Sequence, residues 1–84
     1  MNWADIERTE DYVCGHHARI LADETVEFLQ GLEQSDYIAT VAWIKEVTAQ
    51  AVGELPNDEK LFWRVRDGAV VPFVAPPFGR DGNI

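Results

Sequence analysis

The chain has a single cysteine, Cys14, and only two histidines, His16 and His17, all inside the stretch VCGHHARI. A lone cysteine excludes an intramolecular disulfide, and with no second Cys/His pair the four-ligand set of a structural zinc site is missing. Cations are scarce as well: seven Lys and Arg stand against 15 Asp and Glu, a net charge of −8. The basic footprint that nucleic-acid phosphates require is therefore lacking, and no direct nucleic-acid ligand is expected. Long apolar runs are absent. The most apolar stretch, residues 69–78, is broken by Pro72, Pro76 and Pro77, and MNWADIERTED has an acid at Asp5 and no apolar h-region. Neither secretion nor a membrane span is expected, and a reducing, cytoplasmic setting fits. No repeat, low-complexity segment, catalytic motif or cofactor motif stands out, so the expectation is a non-enzymatic protein without a cofactor.

A chain of 84 residues is one domain by length, and folding at that size hides roughly 60–65% of the unfolded surface. One core fits; a deep substrate cleft would compete with it for the same side chains. The core material is adequate, at 46% hydrophobic with three Trp and four Phe. Charge is unevenly placed. Residues 1–59 carry 13 acids against Arg8, Arg19 and Lys45, a net −10; residues 60–84 carry Lys60, Arg64, Arg66 and Arg80 against Asp67 and Asp81, a net +2.

Thr9 followed by Glu10 and Asp11 reads as a helix start, and Cys14, Ala18, Leu21, Thr25, Phe28 and Leu32 step by four and three. This predicts a helix over 10–32, with Gly15 a weak point. Residues 2–8 are expected to add a short turn that places Trp3 and Ile6 on the core. Ser35 is the expected cap of a second helix over 36–52, with a stripe of Tyr37, Val41, Ile44, Thr48 and Ala51, ended by Gly53 and Pro56. Leu61 to Val74 reads as two strands joined by Asp67-Gly68, the dipeptide favoured in type I′ turns. That register sets Trp63 opposite Pro72 as a non-hydrogen-bonded pair, which tolerates the proline and suggests that the second strand is an outer edge. Leu61, Trp63, Val65, Val70, Pro72 and Val74 then share the face suited to covering the helices. The expected fold is α+β: an antiparallel helical hairpin packed on a two-stranded β-hairpin, with a short N-terminal helix allowed. Residues 1–74 form the expected compact domain, and 75–84 a Pro/Gly-containing tail, expected to be mobile.

Three groups of residues are candidates for a site. Adjacent helical residues diverge by about 100°, so His16 and His17 cannot face one ion, whereas Cys14, His17 and Glu24 share a side. One ion per chain is the most they could hold, completed by a symmetric copy. The favoured reading makes Cys14 a small buried hydrophobe, with no metal, and a nucleophilic thiolate would need an oxyanion hole and an orienter that the sequence does not offer. Asp23, Glu24, Glu27, Glu33, Asp36 and Glu46 form a candidate acidic face, either plainly solvated or suited to a partner with a basic groove. Trp43, Phe62, Arg64, Arg66, Phe73 and Phe78 form a candidate aromatic and basic face, of residue types that anchor protein interfaces. The leading expectation is a small acidic protein-binding module, a regulator or inhibitor that occludes a larger partner, with a nucleic-acid mimic encoded by a mobile element as its narrowest version. A structural subunit of a complex or homo-oligomer, and a metal or ligand binder using Cys14 and His17, are the alternatives.

Overall fold

The Asp67-Gly68 dipeptide forms the expected turn, with φ of 53° and 76° at its two residues, the paired positive values of type I′. A computed structural model describes residues 2–76 of the chain. Strand β1 is Glu7–Arg8, helix α1 is Gly15–Gln30, helix α2 is Gln34–Glu54, and strands β2 and β3 are Lys60–Arg66 and Ala69–Ala75; a 3-10 turn, Trp3–Asp5, precedes β1. β2 and β3 pair antiparallel in the expected register, with Trp63 opposite Pro72 and Phe62 opposite Phe73.

The α+β class holds, but the sheet is not a two-stranded hairpin. It has three strands in the order β1-β3-β2, with β1 parallel to β3 through Glu7 opposite Phe73 and Arg8 opposite Val74. β3 is therefore central rather than an outer edge. Pro72 fits there because its ring nitrogen points away from β2, toward the side where β1 lies, and β1 pairs only with the two residues after it. The missing N–H thus limits the length of β1. A strand of two residues shows no alternation, which is why the sequence pattern concealed it.

β1 also changes the first helix. Thr9 donates its N–H to the Val74 carbonyl at 3.0 Å and accepts from the Asp11 N–H at 3.2 Å, so it ends the strand instead of capping a helix. α1 starts at Gly15, and Cys14 is its N-cap: extended at φ −68° and ψ 160°, its Sγ accepts from the His17 N–H at 3.4 Å. Glu33, not Ser35, stands at the N-cap of α2, its carbonyl accepting from the Tyr37 N–H at 2.8 Å. α2 runs through Gly53 and stops at Leu55, which Pro56 holds in an extended conformation at ψ 141°.

The helices use both faces of the sheet. Ala18 and Leu21 of α1, with Val13, cluster on Phe62, Phe73 and Ala75. Phe62 and Phe73 stack at 5.6 Å between centroids, and burying one such ring stabilises by roughly 1.5–3 kcal/mol. The opposite face meets α2: Trp63 donates to Thr48 Oγ1 at 3.4 Å and receives Trp43 edge-on at 5.2 Å. That contact turns α2 so that Val47 and Ala51 are buried, while Tyr37, from the expected stripe, stays 42% exposed. Thr25, buried on α1, is satisfied by the Leu21 carbonyl at 2.9 Å. Between α1, α2 and β2 an apolar cleft of about 310 Å³ stays open.

Candidate functional site

The helical hairpin gathers five of the six candidate acids near its loop. Asp23 and Glu27 lie one turn apart on the outer side of α1, Glu24 one turn before Glu27, Glu33 at the start of α2 and Asp36 in its first turn. Glu24 and Glu27 rim a hollow of about 550 Å³ floored by Phe28, Leu32 and Val65. Asp36 borders an adjoining hollow of about 470 Å³ that shares Phe28 and Leu32 and adds Trp43 and Val70. One corner of the molecule therefore combines an apolar floor with a carboxylate rim. All six of Asp23, Glu24, Glu27, Glu33, Asp36 and Glu46 are exposed, and among the described residues none of them forms an ion pair. Glu46 stands apart, ten residues and about 15 Å along α2 from Asp36.

The aromatic and basic group is not one surface. Trp43 belongs to the acidic corner, while Phe73 is buried at 4% exposure and Phe62 half-buried beneath α1. Arg64 lies over the Phe73 ring at 4.6 Å and pairs with Glu7, which also receives Arg66 at 2.9 Å. The two guanidiniums, Arg64 foremost, hold the Glu7 carboxyl below the usual carboxylate range. Phe78 lies outside the described residues.

A second set of pairs ties the N-terminal segment down from the other side. Arg8 grips Glu59 with two bonds, at 2.8 and 3.1 Å, and donates to the Trp3 carbonyl at 2.6 Å. Its guanidinium lowers the Glu59 carboxyl, and Trp3 Nε1 donates to the Glu54 carboxylate. Glu7, Glu54 and Glu59 were not among the sequence candidates. Each pairs with a residue more than 50 positions away, and no local spacing signals such a contact.

The VCGHHARI stretch does a structural job. Cys14 is half-buried with its sulfur on the His17 amide, and both histidines are exposed. No group of three His, Cys, Asp or Glu among the described residues is arranged to hold a metal ion.

No described helix is long and apolar enough to cross a membrane. Comparison with family models, with curated proteins and with solved structures found no match for the chain.

Proposed function

We propose that the protein is a non-enzymatic binding module whose acidic corner docks on a cationic protein surface and occludes it. One observation carries this reading. The arginines Arg8, Arg64 and Arg66 are engaged with Glu59 and Glu7, whereas among the described residues the carboxylates of the helices are in no ion pair. The helical half thus presents uncompensated negative charge around an apolar floor of Phe28, Leu32 and Trp43. Lysine and arginine side chains match that combination, laying an aliphatic stem on the floor and a cationic head on the rim. Regulation or inhibition by occlusion follows for a partner whose working surface is basic. In the narrowest form, Glu24, Glu27 and Asp36 stand where nucleic-acid phosphates would sit in a basic groove.

The test compares the intact chain with the Glu24→Gln/Glu27→Gln/Asp36→Asn variant as baits, followed by titration of the captured protein at low and moderate salt. The expected partner is basic, binds at least about tenfold more weakly to the variant, and weakens as salt rises. Competition with duplex DNA tests the mimic form. A partner retained equally by the variant, with no salt dependence, would sink the reading.

A further inference from the structure

We infer that the open edge of β2 is a strand-addition site, where an extended basic segment of the partner pairs its backbone with Leu61, Trp63 and Val65. The inference rests on the acidic corner proposed above for its charge, and goes beyond it by giving the partner a conformation. In the order β1-β3-β2, strand β2 has β3 on one side and, among the described residues, no strand on the other. The hairpin register fixes which backbone groups face outward. Arg66/Ala69, Arg64/Val71 and Phe62/Phe73 are hydrogen-bonded pairs, so the N–H and C=O groups of Leu61, Trp63 and Val65 point away from β3. Donors and acceptors thus stand at two-residue steps along the edge, the repeat that an added strand requires.

Two features leave this edge accessible. Charged side chains commonly guard an edge strand, but those of β2 are drawn elsewhere. Arg64 lies over the Phe73 ring at 4.6 Å and Arg66 meets Glu7 at 2.9 Å, so both guanidiniums lean across β3 and away from the open side. The edge also runs along a trough between α1 and α2. The apolar cleft of about 310 Å³ touches Leu61, Phe62 and Trp63 in succession. Successive strand residues point to opposite faces, so a space that meets all three lies beside the edge and not over one face. A further hollow of about 290 Å³ adjoins Lys60 and Leu61 at one end, and the hollow rimmed by Glu24 and Glu27 adjoins Val65 at the other.

The walls of the trough define the occupant. Beside Trp63 the helices offer Leu21, Val26, Leu29 and Ile44, which match an aliphatic side chain. Two residues on, beside Val65, Glu24 and Glu27 form no ion pair among the described residues and match lysine or arginine. The segment that fits is extended, with an aliphatic residue two positions from a cation. An apolar small molecule would leave the outward backbone groups of β2 without partners. A second copy of the chain is disfavoured by charge, because each copy carries −8 and brings its own acidic helices to the edge.

The probe is the peptide acetyl-Thr-Lys-Thr-Val-Thr-Lys-Thr-amide, which presents a lysine two positions from the valine in either direction, titrated into the full chain. The amides of Leu61, Trp63 and Val65 should gain at least about tenfold protection from exchange, while Val71, already paired within the hairpin, stays unchanged. Only alternate amides of the peptide face β2. Of two versions, one N-methylated on its threonines and one on its lysines and valine, one should therefore bind about tenfold more weakly and the other should not. Glu24→Gln/Glu27→Gln should weaken the parent peptide about tenfold at low salt. Salt-sensitive binding that both methylated peptides retain, with the three amides unchanged, would overturn strand addition and leave the acidic corner standing. No binding at millimolar peptide would overturn it too, as would protection of the three amides that rises with protein concentration alone and so assigns the edge to a second copy.

Discussion

Cys14 shows how one side chain is read differently by composition and by geometry. As the only cysteine beside the only two histidines it invites a chemical role, yet its sulfur accepts the His17 amide and starts α1. Sulfur is a weak acceptor, and a hydroxyl at an N-cap does the same work better. Cys14→Ser is therefore expected to keep or raise the melting temperature, and Cys14→Ala to lower stability by up to about 1 kcal/mol, measured by thermal denaturation. An unfolded Cys14→Ser protein would contradict this account. The partners of the arginines were beyond the reach of sequence at this scale. Arg64 and Arg66 read as part of a candidate binding face because Glu7, which receives both, stands on an element the pattern did not announce.

Among the elements, the pairing of the hairpin was legible because alternation and the Asp67-Gly68 turn agree on one register, but the place of its second strand at the centre of the sheet was not. The helices were legible in their middles and misjudged at their ends. Thr9 has the chemistry of a cap, but pairing with Val74 takes its backbone; Gly53 looks like a stop, but the restriction imposed by Pro56 acts two residues later. β1 was invisible; both its residues are exposed, and each side chain is held in ion pairs with distant residues. Glu7 and Glu59 have depressed pKa values in the fold, so their contribution is present above the ordinary glutamate pKa and is lost as pH falls through the lower folded values. Amide exchange should show this directly. As pH falls below the ordinary glutamate range, protection of the Thr9 amide should weaken progressively while the β2–β3 amides remain protected, and Glu7→Gln should weaken Thr9 protection already at neutral pH. Simultaneous loss of both sets of amides would show that β1 is not a separate unit.

For the molecule as a whole, the α+β class and the charge imbalance were legible from composition and period alone. How the parts are distributed was not. The candidate aromatic and basic face does not hold together because Phe62 and Phe73, beside Arg64, are covered by α1. The acidic corner was half legible: five of its carboxylates were named, but their shared floor of Phe28 and Leu32 requires the hairpin to bring two helices and a strand turn together. The shape, 42 × 27 × 19 Å, leaves few residues far from solvent, which is why the interior is composed of small side chains.

The parallel pairing of β1 with β3 also favours one order of events during folding. Glu7–Arg8 has its partner in Phe73 and Val74, 66 positions later in the chain. Closing a loop that long carries an entropic cost that local helix and hairpin contacts avoid, so the sheet is completed only after both helices and the hairpin stand. In a refolding experiment with pulsed exchange, the Thr9 amide should gain protection after those of Arg64 and Val71, which form a hydrogen-bonded pair of the hairpin, and in a growing chain Glu7–Arg8 would wait unpaired until Val74 had been made.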